Sequence, residues 1–226
     1  MAKKKEKRKV EKTETEEKKQ SKKLESQVKW VIFGMIALIL VVAVAYFIAQ
    51  ESKKISYGGL EYEKIDYSKS LSLYHTEIPL RDAGGNLVAN YNLYLRNNPQ
   101  DLKDIILSSP IQLKENTIVS LDEDSEIGCD DSGIAGANFL SFLKTAGIKV
   151  SVAYSEESYA KEKNANYVTC ETDSNESIIL IKKGEENKIT QETPDCFVLQ
   201  YKDCEILKPT ERFMVALYAN SKGIQV

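Results

Sequence analysis

The sequence contains one histidine and one tryptophan among 226 residues, and it lacks the short motifs of common nucleotide-dependent enzymes. A histidine-based metal centre or a Ser-His-Asp triad would have to use His75, which lies inside a predicted strand. Neither a phosphate-binding P-loop nor a dinucleotide-binding glycine fingerprint occurs. These absences favour a non-catalytic protein, with no cofactor and no metal site expected.

Cysteine is scarce as well, with four residues at positions 129, 170, 196 and 204. The intervals between them hold 40, 25 and 7 residues, without the CxxC pairs of a zinc knuckle, so a Cys₄ zinc site is disfavoured. An even number of cysteines in an exported domain favours two disulfides, for which three pairings exist. We predict Cys196–Cys204 within one turn and Cys129–Cys170 across the domain.

Charge is absent from the 20 residues Trp30–Ala49, the longest apolar run in the chain. A helix of that length spans about 30 Å, which is the thickness of a bilayer core. The run therefore predicts a transmembrane signal anchor whose partner is the lipid bilayer. Ala43-Val44-Ala45 leaves open the alternative of a cleaved signal peptide, although the run is longer than usual for one.

Charge is distributed unevenly on the two sides of this run. Residues 1–29 hold 12 Lys and Arg against 6 Glu, whereas the rest of the chain holds 19 basic and 28 acidic residues. Basic flanks of a first membrane helix stay in the cytoplasm, so we predict a cytoplasmic N-terminus and a domain outside the cell membrane. The tail is too polar to form a core and has no aromatic residue to stack on bases, so disorder is expected and nucleic-acid binding is not.

Residues 50–59 are predicted to form a polar linker, and residues 60–226 a single extracytoplasmic domain. Alternating apolar and polar residues in 87–95 predict the second strand of a hairpin that spans 71–95. The other predicted strands are 60–67, 117–121, 148–154, 167–170, 178–182, 188–190 and 196–201. Short helices are predicted from Asn98-Pro99 to about Leu107 and over 155–164, and a closing helix is predicted from Pro209 to Gly223.

A βαβ unit is predicted where a strand at 117–121 is followed by a helix at 132–146 and a strand at 148–154. Asp131 is a natural N-cap for that helix, and Ala135, Gly136 and Ala137 favour close packing of the helix on the sheet. The expected fold class is α+β or α/β, with a mixed sheet and about three helices.

Cys129 precedes this helix in Cys129-Asp130-Asp131-Ser132, and a helix N-terminus stabilises a nearby thiolate. The element order over 117–222, with Ile178-Ile179-Leu180-Ile181 as the start of a late hairpin, resembles a thioredoxin-like domain. That resemblance implies a thiol–disulfide redox protein that uses Cys129, which is the alternative function. The family's CxxC is replaced here by Cys-x-x-Ser, no proline precedes Ile178, and Asp130 and Asp131 disfavour a thiolate.

Two further surface features are predicted. Asp122, Asp124, Glu126, Asp130 and Asp131 form an acidic loop. Ile127 and Gly133 stand where a calcium-binding EF-hand needs Gly and Glu, so a solvated loop is favoured. Asn175-Glu176-Ser177 is a glycosylation sequon, which makes Asn175 a candidate acceptor on an exposed loop.

The overall layout resembles single-pass membrane proteins of archaea that carry a small extracytoplasmic domain and have no assigned activity. The segments 91–97 and 204–213 carry this resemblance. The function expected from the sequence is binding or assembly at the outer face of a membrane, with another membrane or surface protein as the partner.

Overall fold

The computed structural model describes residues 29–30, 32–46, 54–69, 71–82, 84–127, 129–224 and 226. The chain divides into two units, Met1–Lys53 and Lys54–Val226. In the first unit, residues 29–30 and 32–46 are helical. Among the residues described, no helix has the length and apolarity that a membrane crossing requires. The predicted tail and the predicted span Trp30–Ala49 include residues 1–28, Val31 and residues 47–49, which lie outside the described residues.

The second unit has a mixed α+β fold, as predicted, with two β-sheets and four α-helices in its described part. Its strands are β1 (Lys54–Tyr57), β2 (Leu60–Ser68), β3 (Leu71–Arg81), β4 (Leu87–Leu95), β5 (Ile106–Leu107), β6 (Asn116–Leu121), β7 (Lys149–Tyr154), β8 (Ser177–Lys183), β9 (Lys188–Thr193) and β10 (Cys196–Tyr201). Its helices are a 3₁₀ helix at Asp101–Asp104, then α1 (Glu123–Ile127), α2 (Ser132–Thr145), α3 (Glu157–Glu162) and α4 (Leu207–Ser221).

The first sheet is an antiparallel meander in the order β1-β2-β3-β4. The predicted hairpin over 71–95 is confirmed, with Ile78 opposite Tyr91 and Leu80 opposite Ala89. Residues 54–59 of the predicted linker belong to this sheet, because β1 pairs with β2 and Gly58-Gly59 forms the turn between them. Residues 50–53 of the linker lie outside the described residues.

The second sheet has the order β5-β9-β10-β8-β6-β7. The predicted βαβ unit is confirmed, because β6 and β7 are parallel neighbours on either side of α2 in the sequence. The predicted late hairpin of β8 and β9 is wrong. β10 lies between them, parallel to β8 and antiparallel to β9. This order gives the buried, apolar β10 a partner on each side, which suits a strand with five of its six residues buried.

One continuous core unites both sheets with α2 and α4. Phe213 of α4 lies at its centre, with ring centroids 5.6 Å from Phe139 of α2 and 5.8 Å from Phe197 of β10. The opposite face of the second sheet is covered by a smaller cluster that includes Ile178, Val168 and Cys196. The Ser120 hydroxyl fixes this cover by donating to the Val168 carbonyl at 2.6 Å.

Candidate functional site

A groove of about 410 Å³ opens between the β3–β4 hairpin and the C-terminal ends of α2 and α4. That volume falls within the range of ligand sites in proteins. Its walls are mainly apolar and aromatic. They include Ile78, Leu80, Tyr91, Phe142, Leu217 and Tyr218. We call this cavity the hairpin groove.

Two cations, Arg81 and Lys222, also line the hairpin groove, whereas none of its described lining residues is acidic. Arg81 is held by the turn of its own hairpin, since its Nη1 donates to the Gly85 carbonyl at 2.8 Å. The Lys222 ammonium lies 5.7 Å from the centroid of the Tyr218 ring. An apolar ligand with a negative charge at one end would match this lining in both polarity and sign.

Local sequence explains why the hairpin carries these side chains on one face. Ile78 and Leu80 are two residues apart along β3, so they share the face that meets α2 and α4. Pro79 and Arg81 occupy the alternate positions and also line the groove, and the register with β4 shifts between Leu80 and Arg81. The turn that joins the strands is fixed by the Asp82 carboxylate, which accepts hydrogen bonds from the backbone N–H groups of Gly84 and Asn86, each at 2.9 Å. The Asn86 hydrogen bonds lower the pKa of Asp82.

Two buried charges on α4 lie outside the lining of the groove. Glu211 is 1% exposed and Arg212 is 3% exposed. The Glu211 carboxylate accepts hydrogen bonds from Arg96 N–H at 2.6 Å, Asn97 N–H at 3.1 Å and Asn97 Nδ2 at 2.8 Å. Burial raises its pKa to about 7, against the opposing effect of these hydrogen bonds. The donors belong to Arg96 and Asn97, which directly follow β4, so Glu211 attaches the end of β4 to α4.

Arg212 makes the second attachment. Its Nη1 donates to the Tyr57 hydroxyl of β1, and its Nε lies 3.5 Å from the Ile105 carbonyl. Burial lowers the pKa of Arg212 and raises that of Tyr57. The nearby Tyr62 hydroxyl is buried without a hydrogen-bond partner among the described residues, and burial raises its pKa as well. Glu211 and Arg212 therefore both attach the first sheet to α4.

All four cysteines form disulfides, which confirms the predicted class of bond. The predicted pairing is wrong, because the bonds are Cys129–Cys204 and Cys170–Cys196. Cys196 is the first residue of β10 and is fully buried on the face covered by the segment that holds Cys170. Cys204 lies beyond the other end of β10, so the two residues point into different regions of the domain.

Cys129 precedes α2 as expected, and its carbonyl accepts a hydrogen bond from Ser132 N–H at 3.1 Å. Asp131 is the N-cap residue, but its side chain makes no capping hydrogen bond. The carboxylate instead forms an ion pair with Arg96 at 2.7 Å. Asp131 therefore connects the start of α2 to the residue that follows β4.

The predicted acidic loop contains a short helix, α1, which corrects its assignment as a loop. Asp124 and Asp130 are exposed, as expected for a solvated segment. Asp122 begins α1, since one carboxylate oxygen accepts from Ser125 N–H at 2.7 Å and the other from Lys183 N–H at 2.9 Å. These two bonds use Asp122 to join the ends of β6 and β8. No group of three or more His, Cys, Asp or Glu side chains in the described part of the chain is arranged to hold a metal ion.

A second cavity, of about 460 Å³, lies at the carboxyl ends of β6, β7 and β8, where Asp122, Ser155 and Lys183 contribute to its lining. This edge of a parallel sheet is a frequent ligand position in α/β proteins. Its lining carries both signs of charge. Lys182 pairs with Glu192 of the lining at 3.9 Å, and Lys183 pairs at 3.2 Å with Asp124, which lies outside the lining. The hairpin groove, with its single sign of charge, has the more definite ligand preference.

The other two residues singled out from the sequence lie apart from the groove lining. His75 faces the Asn92 side chain, with Nε2 2.9 Å from Oδ1, and stacks on Tyr94 with ring centroids 4.6 Å apart. Asn175 is exposed, whereas Ser177 of the same sequon is fully buried and accepts a hydrogen bond from Lys114 N–H at 2.9 Å.

Sequence reasoning missed the residues of the hairpin groove. Tyr91, Phe142 and Tyr218 belong to three elements that are distant in the chain, and each reads as an ordinary core residue of its own element. The available signal was Arg81 beside an apolar strand, together with Lys222 at the end of an apolar helix.

Comparisons of the chain with protein-family models, with curated proteins and with solved structures give no match.

Proposed function

We propose that this chain is a membrane-anchored binding protein whose folded domain acts at the outer face of the cell membrane. The uncharged run Trp30–Ala49 would be the anchor, and the basic residues before it would keep the N-terminus in the cytoplasm. The two disulfides support an oxidising location for the domain, because such bonds persist outside the cytosol.

The hairpin groove is the observation that carries the binding function. Its aromatic and aliphatic walls supply the buried apolar contact that most ligand sites use, and Arg81 and Lys222 select a negative end. The ligand class is therefore an amphiphile or an apolar peptide segment with an anionic group. Anilinonaphthalene sulfonate, which has an aromatic body and one sulfonate, is a suitable probe.

The test is a fluorescence titration of the full-length protein with this probe. Ala146 lines the groove and is exposed, so Ala146→Trp is expected to fill the cavity and weaken binding at least about tenfold, a loss of about 1.4 kcal/mol. Ala137→Trp is the matched control, because Ala137 is exposed on α2, the helix that ends just before Ala146, and does not line the groove. Equal binding by both variants would reject the groove as the site.

A charge test separates the two parts of the proposal. Arg81→Gln and Lys222→Gln are each expected to weaken binding of the sulfonate while leaving a neutral naphthalene probe unaffected. If neither substitution discriminates between the two probes, the groove is an apolar site without a preference for anions.

The second candidate function is thiol–disulfide exchange at Cys129. Its specific support is the exposure of Cys204, which together with Asp203 has left-handed backbone, with φ of 61° and 48°. In such an exchange a dithiol substrate would be oxidised to a disulfide while Cys129 and Cys204 become thiols. A Cys129–Cys204 bond that stays closed in glutathione buffer would reject this function.

A further inference from the structure

The free edge of the first sheet has an unusual composition. β4 is a terminal strand of nine residues, Leu-Val-Ala-Asn-Tyr-Asn-Leu-Tyr-Leu, and contains no charged residue and no proline. An exposed edge strand offers unpaired backbone N–H and C=O groups to any other strand. Charges, prolines, bulges or short length normally prevent such pairing.

The other terminal strands in the described part of the chain have that protection. β5 has two residues, and β1 has four with a lysine at its start. β7 begins with Lys149, which pairs with Glu115 at 2.7 Å. At its other end, the bridge between Tyr154 and Tyr167 covers the free side of β7. β4 is therefore the long edge without charge or proline. Its register with β3 shifts at Val88, which has no opposite residue between the pairs Leu80–Ala89 and Arg81–Leu87, so the regular part of this edge is Ala89–Leu95.

The hairpin also extends beyond the rest of its sheet. β2 pairs with β3 only as far as His75, whereas β3 pairs with β4 as far as Arg81. The outer half of the hairpin is thus a two-stranded ribbon, an arrangement that is marginally stable by itself in water. On its β4 side, Leu87 is 57% exposed and Val88 is 69% exposed. A third strand on this side would cover them.

The two sides of the ribbon differ in their capacity to accept that strand. The β3 side carries Glu77, Pro79 and Arg81, and proline cannot donate a ladder hydrogen bond. On the β4 side, the polar side chains are directed towards β3. Asn90 Nδ2 donates to Glu77 at 2.8 Å, and Asn92 Oδ1 faces His75. Among the described residues, no hydrogen bond joins the backbone of β4 to any segment other than β3.

We propose that β4 pairs in an antiparallel orientation with β4 of a second copy of this chain. A two-fold axis places the same uncharged strand on both sides, so no like charges meet within the pair. The nearest charges on β3, Glu77 and Arg81, are opposite in sign. Pairing joins two four-stranded sheets into one of eight strands and covers the exposed residues Leu87 and Val88 of both copies. The pairing uses the outer backbone edge of β4, whereas the hairpin groove uses the Tyr91 side chain of the same strand.

The test is the mass of the full-length chain in mild detergent, measured by light scattering with the detergent contribution subtracted. The wild type is expected at twice the 25.5 kDa of one chain. Val88→Lys and Asn90→Lys are each expected to give monomers, because each places a charge on the edge of each copy. Val152→Lys is the matched control, since Val152 is an exposed valine on the protected terminal strand β7, and this variant is expected to remain dimeric.

Several outcomes would overturn the proposal. These are a monomeric wild type, a dimer that survives either edge substitution, or a dimer that is lost equally in Val152→Lys. A monomeric wild type that binds an extended peptide of another protein along β4 would also overturn it, because the edge would then serve a different partner. The probe titration of the groove is independent of these masses, so either proposal can fail without the other.

Discussion

The Glu211 carboxylate of α4 accepts a hydrogen bond at 2.6 Å from the backbone N–H of Arg96, 115 residues earlier in the chain. This contact holds the first sheet on the α/β part of the domain, next to a second attachment through Arg212 and Tyr57. The hairpin groove lies between the same two parts, so its shape depends on this attachment.

Glu211 is expected to make the stability of the domain depend on pH. Its pKa is about 7 in the folded protein against 4.5 ordinarily, so the folded state binds a proton more readily than the unfolded state. Below pH 4.5 both states are protonated and this group has no effect. As pH rises from 4.5 to about 7, only the folded state keeps the proton, so the free energy of unfolding falls by about 3 kcal/mol, and above pH 7 it levels off.

This dependence can be measured by pulse proteolysis in urea at pH 5 and pH 8. Glu211→Gln removes the titrating group and is expected to reduce the loss of stability between the two pH values. Glu157→Gln alters an exposed residue paired with Lys161 and should leave the wild-type dependence intact. A Glu211→Gln profile that matches the wild type would show that Glu211 does not titrate in this range.

The two disulfides are expected to open in a fixed order. Cys204 is exposed, whereas Cys196 is fully buried, so an attacking thiolate reaches the Cys129–Cys204 bond first. Alkylation during stepwise reduction, followed by peptide mass analysis, should label Cys129 and Cys204 before Cys170 and Cys196. Simultaneous labelling of all four would indicate that global unfolding, rather than exposure, controls reduction.

Two glycines are expected to respond to alanine in opposite directions. Gly58 has a φ of 61°, and an added Cβ would lie 2.4 Å from Val215 Cγ1, so Gly58→Ala should destabilise the domain by at least about 1–2 kcal/mol. Gly136 lies inside α2, where an added Cβ would meet no heavy atom within 4 Å outside its own turn. Gly136→Ala should stabilise by about 0.5–1 kcal/mol. Urea denaturation of both variants measures the change in the free energy of unfolding. A change of the same sign in both variants would contradict the prediction.

Phe213 is expected to be a dominant core residue. It is fully buried and has edge-to-face contacts with Phe139 and Phe197. Phe213→Ala should lower the free energy of unfolding by about 3–5 kcal/mol, because it removes apolar contact and leaves a cavity. Val152→Ala, at an exposed valine, should change it by about 0.5 kcal/mol or less. Comparable losses of unfolding free energy in the two variants would show that Phe213 is not a dominant core residue.

Local patterns predicted most elements of the domain. The alternation in 87–95 gave β4, and the apolar spacing from Ala135 to Leu143 gave α2, because each pattern reflects burial on one face. The 3₁₀ helix at Asp101–Asp104 and strand β5 were predicted as one short helix. That difference arises because β5 is a strand only through its parallel pairing with β9.

Local sequence patterns did not predict which strands pair or which cysteines form disulfides. The chain from β8 to β9 has the appearance of a hairpin, but β10 enters between them and pairs with both. The disulfide pairing failed for the same reason, since short separation favoured Cys196–Cys204, whereas the two ends of β10 direct these residues apart. Gly136 was expected to aid close packing, but buried Ala135 makes the contact and Gly136 does not.

We propose that the folded domain lies on the outer side of the cell membrane, where its groove binds a ligand. Labelling of intact cells with a membrane-impermeant maleimide tests the location directly. Glu61→Cys adds a thiol on an exposed position of β2, and Ser21→Cys adds one to the basic tail. Glu61→Cys is expected to be labelled on intact cells and Ser21→Cys only after lysis, with no labelling of the wild type. Labelling of Ser21→Cys on intact cells, or of Glu61→Cys only after lysis, would contradict it.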